Sequence, residues 1–135
     1  MVAQLISKLF YLWRVQCEER LASLWRAEEA KQFVQEGGFT GFVNRWLCVS
    51  GQLRKERDVF VLTPQGRVHA ELIVRSHRLW ETWLGKHVDL PVDHLHPPAE
   101  WIEHHLGEQV RKRIEDELGN KDIDPHGSTI PREKR

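Results

Sequence analysis

Residues 94–105 read His94-Leu95-His96-Pro97-Pro98-Ala99-Glu100-Trp101-Ile102-Glu103-His104-His105. Glu100, Glu103 and His104 stand at i, i+3 and i+4, so on an α-helix they leave from one face within about one turn. Pro97 and Pro98 suit a helix start, because a first-turn proline gives up only an N–H that has no helical partner anyway. Two carboxylates and an imidazole converging from one turn make half of a divalent-cation site. The same spacing also fits a solvated helix face, and the flanking sequence has to separate the two.

Upstream, Thr63-Pro64-Gln65-Gly66 has the form of a helix start, with Thr63 as N-cap and Pro64 in the first helical position. The spacing predicts a helix to about Leu84, with Val68, Leu72, Ile73, Leu79, Trp80, Trp83 and Leu84 on its apolar side. His77 and Glu81 are four apart on it and share a face. Gly85 to Leu95 reads as a loop. The helix begun at Pro97 is expected to end near Leu106-Gly107. A second helix, Glu108 to Leu118, closes at Gly119-Asn120. The tail from Lys121 to Arg135, with Pro125, Gly127 and Pro131, is expected to be irregular.

His77, Glu81, His96, Glu100, Glu103 and His104 thus come from two helices joined by a short connection. Carboxylate and imidazole donors without thiolate suit Mn²⁺, Fe²⁺, Co²⁺ or Zn²⁺. An ion-pair network is the competing reading. His87, His94, His105 and His126 read as surface histidines. No HExxH, GxSxG or glycine-rich phosphate loop is present, so an enzyme is not expected.

The N-terminal half is helical by pattern over residues 2–35, as one long helix or two, with Leu5, Leu9, Leu12, Leu21, Leu24 and Trp25 at three- and four-residue steps. Gly37-Gly38 is the expected stop. Residues 40–49 suit a short helix, and residues 52–63 two short strands around a charged turn. Arg54, Lys55 and Arg57 cluster at that turn, which is either a nucleic-acid contact or a solvated hairpin tip.

Composition bounds the rest. The 135 residues suit about one domain or two small lobes. Lys+Arg and Asp+Glu balance at 20 each, without the basic surplus of a typical nucleic-acid binder. Six tryptophans are expected in packing roles. Cys17 and Cys48 form no CxxC, which fits a reducing, cytoplasmic setting. No apolar run reaches the roughly 18 residues that span a bilayer, and Met1 to Trp13, interrupted by Lys8, does not read as a signal peptide.

The order wing, Leu62-Thr63-Pro64-Gln65-Gly66, helix, Val74-Arg75-Ser76-His77-Arg78-Leu79-Trp80-Glu81, loop, His96 to His104 resembles the iron- and manganese-dependent repressors, the diphtheria toxin repressor family. Asp124-Pro125-His126-Gly127-Ser128-Thr129-Ile130-Pro131 is similar to the motif closing that family's dimerisation domain. The resemblance implies a mostly α fold: a shortened winged helix-turn-helix lobe with a β-hairpin wing (residues 1–63), a helical metal-binding and dimerisation domain (64–120) and a tail (121–135). It also implies a homodimer that senses Mn²⁺ or Fe²⁺, with Zn²⁺ or Co²⁺ as substitutes in vitro, and controls transcription at operator DNA.

By position, His77, Glu100, Glu103 and His104 match metal ligands of the family, Glu81 and His96 match ancillary ligands, and Glu19 falls near an acidic ligand of its first helix. Ala22 stands where manganese-type members carry Glu and iron-type members Met. The interval between the first helix and the wing is shorter than the family's. The segment Gly41 to Val49, in the place of a recognition helix, holds Arg45 as its one basic residue. The implied DNA contacts are Arg45, Arg54, Lys55 and Arg57. Met1 to Phe10 also looks similar to the segment following the last membrane helix in fusions of such a domain to a metal ABC transporter permease. That resemblance implies, alternatively, a cytosolic metal-sensing domain of an importer.

Overall fold

The computed structural model describes residues 1–32, 39–95, 99, 108–119 and 121–132. The chain divides into two compact units, Met1–Glu71 and Leu72–Arg135.

In the first unit, α1 runs unbroken over Val2–Ala30. One long helix forms because no glycine or proline interrupts residues 2–30. It ends before the expected Gly37-Gly38 stop, which lies outside the described residues. Lys31 turns left-handed (φ 53°), and the N–H groups of Lys31 and Gln32 bond back to Glu28 O (3.2 Å) and Ala27 O (2.8 Å). This is the Schellman closure, here made with a lysine in place of glycine.

The second half of α1 buries Leu21, Ala22 and Leu24. Helix α2 (Thr40–Val49) sets Val43, Asn44 and Leu47 inward. Between the two helices Arg20 Nε donates to Asn44 Oδ1 at 2.8 Å, a polar link inside an otherwise apolar contact. Gly51, at φ 77°, turns the chain out of α2.

Strands β1 (Leu53–Glu56) and β2 (Val59–Leu62) pair antiparallel in the register Leu53↔Leu62 to Glu56↔Val59. The expected hairpin is therefore present. Arg57 and Asp58 form its two-residue turn, both with positive φ (45° and 67°), as a hairpin with right-handed strand twist requires. Leu53 and Leu62 tuck the open end of the hairpin into the core.

Helix α3 (Pro64–His87) starts where the sequence indicates. Thr63 Oγ1 accepts the Gly66 N–H at 3.0 Å and donates to Gly51 O at 2.6 Å, so one hydroxyl caps α3 and ties it to the end of α2. Gly66 lies directly against the Gln52 backbone, where a Cβ would fall 2.8 Å from the Gln52 carbonyl carbon.

In the second unit, Leu79, Trp80 and Leu84 of α3 pack with Leu95, Ala99, Ile114, Leu118 and Ile130. Helix α4 (Glu108–Leu118) supplies Ile114 and Leu118, and a 3₁₀ turn at Val92–His94 leads to Leu95. Ala99 is helical and buried, while the remainder of the expected 97–106 helix lies outside the described residues. The segment 121–132 carries an isolated bridge, Ile123↔Thr129, and inserts Ile130 into the core.

Several apolar residues do not occupy the positions their periodicity suggests. Val68 and Leu72 are exposed, although Ile73, Leu79, Trp80 and Leu84 are buried as expected. Leu5, Leu9 and Leu12 are exposed as well. Trp80 is in the core, and Trp46, although 52% exposed, packs edge-on against Trp13 of α1, a helix-packing role at the surface. Periodicity marks which face of a helix is apolar; what covers that face is decided elsewhere in the chain.

Candidate metal centre

Helix α3 carries two ionisable side chains into the second unit, one turn apart. His77 and Glu81 are only 4% and 3% exposed, and His77 Nε2 lies 3.0 Å from Glu81 Oε1. Burying an imidazole and a carboxylate is costly unless each is met by polar partners. Here they meet one another, and Glu81 has a second neighbour: its Oε2 is 3.6 Å from His126 Nε2.

His126 reaches Glu81 because the 124–131 segment is pinned to α3 and α4. Asp124 Oδ1 accepts the N–H groups of His126 (2.9 Å) and Ser128 (2.7 Å), which folds the segment into a tight loop. Buried Arg78 holds that loop, with Nε 3.9 Å from Asp124 Oδ2 and Nη1 bonded to Thr129 O. Arg75 donates to Pro131 O at 2.7 Å and to Glu115 of α4 at 3.2 Å. His126 was expected to be a plain surface histidine. Its side chain is indeed partly exposed, yet its ring is set against Glu81. The clue in the sequence was Asp124 two residues earlier, a turn-forming residue that fixes the backbone at His126.

Lower on the same helix, Trp83 Nε1 donates to Glu117 Oε2 (3.2 Å), and His87 Nε2 lies 2.7 Å from Glu117 Oε1. The Trp83 N–H foremost, and the His87 and Lys86 charges after it, hold the Glu117 carboxyl below its usual range. These contacts join α3 to α4 at the surface.

Of the expected ligand residues, the structure brings His77 and Glu81 together. His96, Glu100, Glu103 and His104 lie outside the described residues. Glu19 stands on α1 in the first unit, in a cleft of about 350 Å³ that also involves Gln16, Arg20, Ser23 and Val43. Among the described residues, no three His, Cys, Asp or Glu side chains converge closely enough to hold a metal ion. What is present fits one as a partial donor set: imidazole nitrogen and carboxylate oxygen, buried, with no thiolate, and backed by further polar groups. Cys17 and Cys48 are free thiols of the first unit, and burial, with Glu18 beside it, pushes the Cys17 thiol pKa up.

The expected DNA contacts Arg45, Arg54, Lys55 and Arg57 are all exposed. Within the hairpin, Arg54 pairs with Glu56 (2.7 Å) and Lys55 with Asp58 (3.1 Å), so part of the basic charge at the wing is neutralised. Helix α2 presents Phe42, Arg45, Trp46 and Val49 outward. A recognition helix presents polar and basic groups to bases and phosphates, and this face is mostly apolar.

A hairpin-bearing helical lobe followed by a helical unit with a buried imidazole–carboxylate pair defines the architectural class. The chain belongs to the iron-dependent repressor family: the sequence model of that family's metal binding and dimerisation domain matches residues 63–132. It is 32% identical over 115 residues to the iron-dependent repressor IdeR of Mycobacterium tuberculosis, covering 84% of this chain and 50% of that protein. It is 30% identical over 110 residues to a probable metal transport system membrane protein of Chlamydia trachomatis, covering 82% of this chain and 24% of that protein. A solved manganese-dependent transcriptional repressor in complex with manganese superposes with a TM-score of 0.72 at 29% identity, over 86% of this chain and 58% of that one. The chain thus spans only part of the length of each of these proteins.

Proposed function

We propose that this chain is a divalent-metal-sensing and dimerising domain that acts in the control of metal uptake, as a transcriptional regulator rather than an enzyme. The observation that carries the reading is the buried His77–Glu81 pair, lying inside the segment that matches the family's metal-binding domain. Mn²⁺ or Fe²⁺ is the proposed ligand, because the donors are nitrogen and oxygen. His77, Glu100, Glu103 and His104 are the proposed main ligands. Glu81 and His96 are proposed as an ancillary set, with His126 beside Glu81, and Glu19 as a contribution from α1. His77 and Glu81 would hold the ion through an imidazole nitrogen and a carboxylate oxygen, and the ion would supply the positive charge that a buried carboxylate lacks. A switch requires that it bind one conformation of the dimer better than another.

Operator DNA is the proposed partner of the homodimer, in the cytoplasm, through Arg45, Arg54, Lys55 and Arg57. The test is a gel-shift with DNA upstream of the neighbouring metal-uptake genes, with and without Mn²⁺, at low salt. A Mn²⁺-dependent shift supports the regulator. Absence of any shift with metal present removes DNA as the output.

A second reading has its own support. Relatives from two Chlamydia species are named as probable metal transport system membrane proteins, and the outward face of α2 suits packing better than base readout. In that reading the same site reports cytosolic metal to a transporter. The reading frame upstream of Met1 separates the two, since a run of membrane helices there decides for the transporter.

A further inference from the structure

The first unit exposes an apolar face that the metal site leaves unexplained. On α1, Val2, Leu5, Leu9 and Trp13 follow one another at three- and four-residue steps and, with Ile6 beside Leu5, form one stripe. Leu5, Ile6 and Leu9 are each at least 58% exposed. Helix α2 continues the stripe. Trp13 packs edge-on against Trp46 at 6.4 Å, and Phe42, one turn before Trp46, is 68% exposed. The result is a single surface of aliphatic and aromatic side chains.

The two segments that build it carry cations and no acid of their own, with Glu18 and Glu19 of α1 at its border. Residues 1–17 and 39–49 contain Lys8, Arg14 and Arg45 but no Asp or Glu, in a chain whose charges otherwise balance. Lys8 and Arg14 flank the α1 stripe, each about 120° around the helix from its centre. Glu18, the first acid of the chain, stands at the edge, 3.6 Å from Arg14.

We propose that the face formed by Leu5, Ile6, Leu9, Trp13, Phe42 and Trp46 docks on an anionic lipid surface, with α1 lying in the plane of the interface. Aliphatic and aromatic side chains enter the headgroup boundary while flanking Lys and Arg reach lipid phosphates. Among the described residues no helix is long and apolar enough to cross a membrane, so α1 lies on the surface rather than spanning it. A second copy is the poorer occupant. A two-fold contact through this face sets Lys8 and Arg45 of both copies around one patch, and the bordering Glu18 is already paired with Arg14 of its own copy.

The test is co-sedimentation of the full chain with vesicles of equal parts phosphatidylcholine and phosphatidylglycerol, beside vesicles of phosphatidylcholine alone. The chain is expected to sediment with the anionic vesicles and to be released by high salt. The double variant Leu5→Glu/Leu9→Glu should partition at least about ten-fold more weakly. Lys8→Gln alone should weaken binding about five-fold. Both are expected to leave the fold intact by far-UV circular dichroism, because these side chains are exposed. If the double variant does not fold, Lys8→Gln decides alone. No sedimentation, or equal sedimentation of parent and variants, overturns the proposal. It is also overturned if sedimentation velocity shows that Leu5→Glu/Leu9→Glu splits a dimer while the parent ignores vesicles.

Discussion

His77 and Glu81 stand one turn apart on α3 with Nε2 and Oε1 separated by 3.0 Å, both inside the protein. Two groups that prefer water have been placed in the interior on a helix that needs neither for its own formation. Replacing both with apolar residues of similar size removes the desolvation cost together with the interaction, whereas removing one strands the other. Without metal, the double variant His77→Leu/Glu81→Leu is therefore expected within about 1 kcal/mol of the parent, and Glu81→Leu alone about 2 kcal/mol less stable. Urea unfolding in the presence of a chelator measures both. A double variant as unstable as the single one contradicts the view that the pair is kept for binding.

The position of His126 depends on Arg78. Arg78→Ala removes the ion pair to buried Asp124 and the bond to Thr129 O. The expected loss is about 3 kcal/mol, and the 121–132 segment should become more sensitive to proteolysis than the rest of the second unit. Unchanged protection of that segment sinks this account of the loop.

Gly66 tests the junction of the hairpin with α3. Its missing Cβ leaves room for the Gln52 backbone, whose carbonyl is itself held by the Thr63 N–H at 3.1 Å. Neither side yields easily, so Gly66→Ala should destabilise the first unit by about 1–3 kcal/mol. The helix-propensity gain of alanine acts the other way and is smaller. A neutral or stabilising effect in thermal unfolding counts against the close approach.

Acid stability should report Glu117. Its carboxyl is held low, first by the Trp83 indole N–H and then by the His87 and Lys86 charges. A carboxyl whose pKa is lower folded than unfolded contributes stability that is present above the unfolded value and is lost as pH falls through the folded one. Glu117→Gln should therefore be less stable than the parent near neutral pH. The difference should close as pH drops below about 4. A difference that persists unchanged in acid is inconsistent with the assignment.

Much of this architecture is legible in the sequence. Thr63-Pro64 fixes the start of α3, the alternation of residues 53–62 around a charged turn gives the hairpin, and Gly119 marks the end of α4. These features rest on local rules. The end of α1 does not, because its left-handed closing residue is Lys31 and not a glycine. The exposure of Leu5 and Leu9 was hidden for another reason: a periodic stripe says that a helix has an apolar side but not whether this chain covers it. The contact of His126 with Glu81 depends on Arg78 and Asp124, which are distant in sequence, so only the folded segment reveals it. The spacing of His77 and Glu81, by contrast, could be read directly, since a helix places residues four apart side by side.

The proposed divalent-metal site of this chain is built on His77 and Glu81. Isothermal titration of the full chain with Mn²⁺ tests it most directly, with His77→Ala, Glu103→Ala and His104→Ala alongside. The account predicts saturable binding by the parent, weakened at least about ten-fold in each variant, together with Mn²⁺-induced thermal stabilisation of the parent. No binding by the parent, or variants that bind as the parent does, would contradict it.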